Sequence, residues 1–160
     1  MKRALILFVV ATAPAIAQVA NEPTISADAA LDALNAALKQ CRADGQKVSV
    51  TVVDAAGRVK ASLRDDGAAP HTAEHSMRKA YTALSYKTPS AEYGKRAQEA
   101  KGIAIGPQLL PNITTAAGGV PIRVNDAVIG AIGVSGTPSS AGGGEHDAKC
   151  AAAGMAKLAK

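Results

Sequence analysis

A run of valines at alternate positions, followed by a tight turn, is the strongest structural signal in this chain. Alternation places Val48, Val50 and Val52 on one side of an extended segment, as is typical of a strand with a buried face. The turn Asp54–Gly57 ends on a glycine that accepts positive φ, and Arg58–Arg64 then alternates again. We therefore predict an antiparallel hairpin.

Helices are predicted on both sides of this hairpin. Ser26 is a good capping residue for a helix that runs to about Ala43, with an apolar stripe of alanine and leucine. Asp65–Pro70 breaks the second strand of the hairpin. A long helix is then predicted at Thr72–Tyr86 and a shorter one at Pro89–Ala100.

The last third of the chain alternates glycine-containing turns with short apolar segments. Three strands are predicted there, at Ile113–Ala117, Val120–Val124 and Ala127–Ser135, before a final helix at His146–Leu158. The 160 residues leave room for one ordinary domain. The predicted fold class is therefore α/β (α+β), with one antiparallel sheet of about five strands and helices packed on it.

The first seventeen residues have the three-part pattern of a secretory signal peptide. Lys2 and Arg3 precede an apolar run, Ala4–Thr12, that is too short to span a bilayer. Ala15–Ala17 supplies a small-residue cleavage pattern, so residues 1–17 are expected to be removed. Residues 18–25 then form a lead-in to a single domain at 26–160. This interpretation predicts a periplasmic or extracellular protein.

Charge and aromatic content argue against a nucleic-acid partner. Without Lys2 and Arg3, the formal net charge falls from +5 to +3, which is a weak attraction for a polyanion. The chain has no Trp, one Phe and three Tyr, too few rings to form a platform on which bases stack. We therefore expect no binding of nucleic acid.

The two cysteines leave two interpretations open. Cys41 lies near the end of the first predicted helix and Cys150 lies within the last one. In an oxidising compartment an even number of cysteines favours a disulfide, which here would close almost the whole domain. Two separately buried thiols are the alternative.

The start of the long helix contains two short motifs with chemical meaning. His71 and His75 are four residues apart, so both face one way and could hold an iron or zinc ion. With Glu74 they match the pattern of an inverted zinc peptidase, but such an enzyme needs a third ligand and a larger chain. Ser76 and Lys79 match S-x-x-K without its companion motifs, which favours anion binding over acyl transfer.

Glycines recur in the last third of the chain in two settings. Gly130, Gly133 and Gly136 lie within or at the end of a predicted strand, so they do not form a phosphate loop between a strand and a helix. Close approach of another backbone explains them better. Gly142–Gly144 precedes the final helix, either as a flexible loop or as an anion-accepting helix start.

Five blocks of sequence, taken together, resemble one known family. They are Arg64–Ala68, Ser76 with Arg78–Ala83, Ala117–Ile122, Gly130–Gly136, and Asp147 with Cys150–Ala151. In this order and spacing the chain, from about Ile25 to Lys160, resembles the GlcG/HbpS family (DUF336-type). The stretch Pro70–Ser85 and the signal peptide are most similar to its secreted, haem-binding branch. The resemblance implies a profilin-like sandwich and homo-oligomers from dimer to octamer. It also implies haem binding, with haem degradation, iron sequestration or partnership with a membrane sensor.

Several side chains are candidates for a haem site. The candidate axial ligands are His71, His75, His146, Met77, Tyr81, Tyr86 and Tyr93. Arg64, Arg78 and Lys79 could pair with the haem propionates. Because aromatic residues are scarce, we expect a shallow site of low affinity at a subunit interface rather than a deep pocket.

Two other functions remain open at this stage. One is an enzyme that binds a small carboxylate or another anion in a cradle of three side chains and one stretch of backbone. The cradle would consist of Arg64, Ser76, Lys79 and the Gly118–Gly119 backbone. The other is an accessory protein without a ligand, which contacts a periplasmic or membrane protein. A binding or accessory role is favoured over that of a classical enzyme.

Overall fold

The structure is a computed structural model that describes residues 21–100 and 110–158. The order of helices and strands is the predicted one except for one strand. The elements are α1 (Ala27–Ala43), β1 (Ser49–Asp54), β2 (Val59–Arg64), α2 (His71–Tyr86), α3 (Ser90–Glu99), β3 (Gly119–Val124), β4 (Ala127–Ser135), a 3-10 turn (Ser139–Ala141) and α4 (Gly143–Leu158). The predicted signal peptide, residues 1–17, lies outside the described residues, and so do residues 101–109.

The four strands form one antiparallel sheet in the order β2-β1-β4-β3. The predicted hairpin is confirmed, since Val52 of β1 lies opposite Ala61 of β2. On its other side, Val52 lies opposite Ile132 of β4. The edge strands are β2 and β3, and β3 carries Pro121 at its third position.

The expected fifth strand is wrong, because Ile113–Ala117 is irregular in the structure. The Thr114 N–H donates to the Thr82 hydroxyl of α2 at 2.9 Å rather than to another strand. Gly94 of α3 lies so close to the Thr115 carbonyl that a Cβ there would collide with it. This segment is therefore held by two helices, which its apolar pattern could not reveal.

The sheet is covered on both faces. Alternate residues of β1 point opposite ways, so Val50 and Val52 pack with α1 and α4 while Val53 packs with Ala80 of α2. The buried stripe of α1 is the one that its spacing predicts, and it ends with Cys41. Seven of the sixteen buried residues of this core are alanine or cysteine, and such small side chains allow close packing of the layers.

Two glycines allow α2 to lie directly on the sheet. Gly119 of β3 and Gly133 of β4 are opposite each other in the sheet. A Cβ on Gly133 would collide with the Ser76 carbonyl oxygen, and one on Gly119 with the Lys79 carbonyl oxygen. The predicted close backbone approach at Gly133 is thus confirmed, and it positions Lys79 above the end of the sheet.

The ends of several elements differ from the prediction by a few residues. The helix α4 begins at Gly143 rather than His146, so two of the three glycines belong to it. Ile25, expected in a loose lead-in, is buried, and its N–H donates to the Ile129 carbonyl at 2.9 Å. Within the described residues, no helix has the length and apolar character needed to cross a bilayer.

Candidate functional site

A cleft of about 690 Å³ opens at the end of the sheet where β4 finishes and α2 and α4 begin. Small residues form much of its wall, which leaves open space between the two helix starts. The lining residues are Ala69, His71, Thr72, His75, Lys79, Ala116, Ala117, Ser135, Gly136, Thr137, Pro138, Ser139, Gly142, Gly143, Gly144, Glu145 and Asp147.

Two imidazoles of α2 edge this cleft. His71 is exposed in the first turn, and His75 follows one turn later and is half-buried. The His75 ring is oriented by two hydroxyls: Nδ1 lies 3.2 Å from Ser135 Oγ, and Nε2 lies 3.3 Å from Thr114 Oγ1. The structure therefore brings together the two histidines that the sequence motif singles out.

We expect stability to fall as pH drops below 6.5, because the folded protein favours neutral His75. Burial lowers the pKa of His75, the positive charge of Lys79 lowers it further, and Asp147 acts in the opposite direction. His71 and Arg78 add smaller lowering effects. The stability that neutral His75 contributes is complete above the pKa of about 6.5 in the unfolded chain. It is lost as the pH falls through the lower pKa of the folded protein.

The check is urea unfolding between pH 7.5 and 5, with His75→Gln as the control. Because a single proton is involved, the free energy of unfolding changes by at most about 1.4 kcal/mol per pH unit. The change is smaller than this limit because the His75 ring is half-exposed. The variant should show a flatter profile in this range. Parallel profiles for the two proteins would contradict the assignment.

Lys79 lies on the floor of the cleft in a buried ion pair. Its Nζ donates to Asp147 Oδ2 at 2.8 Å and to the Val134 carbonyl at 3.0 Å, and both charged side chains are 3% exposed. Asp147 Oδ1 also accepts the Thr137 N–H at 3.1 Å. Burial lowers the pKa of Lys79, and the Asp147 carboxylate opposes that effect. The pair joins α2, β4 and α4 and leaves little positive charge for a ligand.

Asp147, like the hydroxyls of Thr114 and Ser135 that orient His75, is a residue of this site to which sequence reasoning gave no role. It belongs to one of the five blocks that carry the family resemblance, but its partner is 68 residues away. Spacing on a helix shows only partners within a turn or two, so this pairing had no local signal.

Three other parts of the predicted anion cradle are hydrogen-bonded to other groups of the protein. Ser76 is fully buried, and its hydroxyl lies 2.8 Å from Thr51 Oγ1, facing the sheet rather than the cleft. The Gly119 N–H donates to Ser90 Oγ at 2.9 Å. Gly118, at φ +122°, accepts the Val134 N–H with its carbonyl. The cradle is therefore not assembled as an open site.

The two predicted arginines lie near the rim. Arg64 is exposed and donates from Nη1 to the Ala68 carbonyl, next to a residue that lines the cleft. Arg78 pairs with Glu74 and borders a hollow of about 250 Å³ together with both histidines. Its Nε is buried and has no hydrogen-bond partner among the described residues.

The remaining candidate iron ligands are not among the residues that line the cleft. Tyr81 borders a different hollow at the opposite end of the sheet. The rings of Tyr86 and Tyr93 stack at 4.0 Å, and burial raises the pKa of Tyr93 to about 12, so this phenol stays protonated. Met77 and His146 are not among the lining residues. The cleft thus keeps only the two histidines of α2 from the candidate ligands.

The structure decides between the two interpretations of the cysteines. Cys41 and Cys150 form a disulfide that joins α1 to α4, with their Cα atoms 5.6 Å apart. Both residues are fully buried. The bond therefore fixes the helix layer on the face of the sheet opposite α2.

These features define an α/β sandwich with a small-molecule cleft at one end of its sheet. Residues 25–156 match the family described as haem degrading protein HbpS-like. The chain belongs to this GlcG/HbpS family.

Individual relatives agree with that assignment. A double mutant of HbpS from Streptomyces reticuli is 35% identical, with a TM-score of 0.81 over 92% of this chain and 98% of the other. Protein GlcG of Escherichia coli is 32% identical over 97 residues, which are 61% of this chain and 70% of GlcG. A complex of PduOC with haem is 24% identical and shares the fold, with a TM-score of 0.74 over 84% of this chain and 94% of that one.

Proposed function

We propose that this chain is an exported haem-binding protein whose ligand occupies the cleft between α2 and α4. The observation that carries the proposal is the pair of imidazoles, His71 and His75, at the edge of a cleft of about 690 Å³. Cavities of roughly 300–1,000 Å³ are usual for cofactors and other small molecules. The family description supports haem as the ligand.

The donor groups suit an iron porphyrin. A neutral imidazole is the form that binds iron, and the lowered pKa of His75 favours that form. His71 is exposed at the rim, whereas His75 must exchange the Thr114 contact at 3.3 Å before its Nε2 can bind iron. Among the described residues, neither histidine belongs to a group of three possible metal ligands. An iron that brings four porphyrin nitrogens needs fewer ligands from the protein than a bare ion does.

The arginines suit the propionates of haem. The buried Nε of Arg78 has no partner among the described residues, and a carboxylate could accept its hydrogen. Arg64 offers a second, exposed guanidinium near the same rim. The rival anion-binding enzyme is less well supported, since Lys79 and Gly119 are already satisfied within the fold.

Export and assembly are parts of the same proposal. A structural disulfide is usual in an oxidising compartment, which supports the periplasmic or extracellular location expected from the signal pattern. Leu31, Val59 and Leu63 are 41–54% exposed, so their apolar side chains are available for contact with further copies or with a membrane sensor. Iron sequestration, haem degradation and redox sensing all begin with bound haem, so binding is tested first.

The test is a haemin titration followed in the Soret region, with His71→Ala, His75→Ala and the double variant. We expect saturable, stoichiometric binding that weakens about 10-fold or more in the double variant, because axial ligands are lost. His146→Gln is the matched control, as it removes the third histidine outside the cleft lining. A non-saturating rise would contradict haem binding, and an unchanged double variant would contradict this cleft.

A further inference from the structure

A second group of metal-binding side chains lies between α1 and α4. The ligand atoms of Cys41, Cys150 and His146 all lie within 4.8 Å of one another. We call these three residues the Cys–His cluster. In the structure the two sulfur atoms are joined, so the cluster exists here in its oxidised form.

The hydrogen bonds of His146 orient it as a ligand. Its Nε2 lies 3.0 Å from Asp44 Oδ2, and an ionised carboxylate only accepts, so Nε2 carries the proton. In the neutral ring, Nδ1 then presents a lone pair, and it lies 3.8 Å from Cys150 Sγ. The Thr137 hydroxyl, 3.2 Å from Nδ1, can donate to that lone pair. A carboxylate behind a histidine is the usual outer support of a zinc ligand.

We propose that reduction of the Cys41–Cys150 disulfide converts the Cys–His cluster into a binding site for Zn²⁺ or a similar thiophilic divalent cation. A dithiol reductant breaks the S–S bond, supplies two electrons and two protons, and is itself oxidised to a disulfide. The cation then displaces one proton from each thiol and binds both thiolates and His146 Nδ1. The fourth position is left to water, because Asp44 is held at Nε2 on the far side of the imidazole ring.

Charge and space are compatible with such a site. Two thiolates neutralise a divalent cation, so the buried position does not hold a net charge. With Zn–S bonds of about 2.3 Å, a tetrahedral site needs sulfur atoms about 3.8 Å apart. The ligand atoms of the cluster already lie within 4.8 Å of one another, and breaking the S–S bond lets the two sulfur atoms separate to the distance that the cation requires. The His146 side chain, 16% exposed, connects the cluster to solvent.

The test uses Co²⁺ as the probe, because thiolate and tetrahedral coordination give it distinctive absorption. The purified chain is reduced with a phosphine under anaerobic conditions and titrated, and the oxidised chain is titrated beside it. We expect a two-thiolate charge-transfer band and an affinity at least about 100-fold higher in the reduced protein. Competition with Zn²⁺ should remove the band.

Variants distinguish a built site from two exposed thiols. His146→Ala and Asp44→Asn should each lower the Co²⁺ affinity about 10-fold or more, and Cys41→Ser should halve the charge-transfer intensity. His71→Ala is the matched control and should leave the spectrum unchanged, which separates this site from the haem cleft. Circular dichroism follows the fold throughout.

Three results would overturn the proposal. The first is the absence of a thiolate-to-cobalt band in the reduced protein. The second is equal affinity in His146→Ala, which would exclude the histidine. The third is loss of the fold on reduction that Co²⁺ does not restore.

Discussion

Replacing Asp147 with alanine is expected to lower the free energy of unfolding by about 3–5 kcal/mol, the usual cost of removing one partner of a buried ion pair. The substitution leaves the Lys79 ammonium buried beside the Val134 carbonyl, without the carboxylate that neutralises it. It also removes the acceptor of the Thr137 N–H. Urea unfolding at pH 7.5 measures the change.

Two controls separate the ion pair from general damage. The double variant Lys79→Met with Asp147→Leu removes both charges and should recover most of the loss, since apolar residues of similar size often replace such pairs well. Glu92→Ala breaks the exposed pair with Lys95 and should cost less than about 1 kcal/mol. Equal losses in Asp147→Ala and Glu92→Ala would contradict a structural role for the buried pair.

Loss of the Cys41–Cys150 disulfide is expected to cost about 4 kcal/mol. The bond joins residues 109 positions apart, so it restricts almost the whole unfolded domain. Closing a loop of this length contributes about 4–5 kcal/mol in the chain-entropy estimate. The measurement is urea unfolding of the chain with and without reductant.

The Cys41→Ala, Cys150→Ala variant serves as the control for this result. It should match the reduced chain in stability and should not respond to reductant. If reduction leaves the unfolding midpoint of the native chain unchanged, the disulfide does not stabilise the domain. Co²⁺ should raise the stability of the reduced native chain but not of the variant, because a ligand that binds only the folded state stabilises it.

Local sequence patterns predicted most of the secondary structure. The stripe of α1 and the alternation around Asp54–Gly57 depend on periods of 3.6 and 2 residues, which a short window reveals. Ile113–Ala117 has a similar apolar pattern, but its backbone is hydrogen-bonded to α2 rather than to a strand. Which partner a short segment finds is a tertiary property, so the strand count could not be predicted from periodicity.

The candidate site was predicted less completely than the fold. The spacing of His71 and His75 correctly placed both on one edge of α2, since it depends only on helix geometry. Ser76 and Lys79 also share a side of α2, but that side faces the sheet, where Thr51 and Asp147 satisfy them. The sequence shows which residues of a helix share a face, but not what that face contacts.

The single proline of β3 makes the two edges of the sheet differ in their ability to pair with a further strand. Pro121 has no N–H, and its register with Ala131 turns its nitrogen away from β4, toward the outer edge. A strand arriving at β3 would find a missing donor in the middle of its ladder. The opposite edge, β2, contains no proline along Val59–Arg64. An added strand, from another copy or from an extended peptide, is therefore expected to pair with β2 rather than with β3. The sheet can be extended at one of its two edges only.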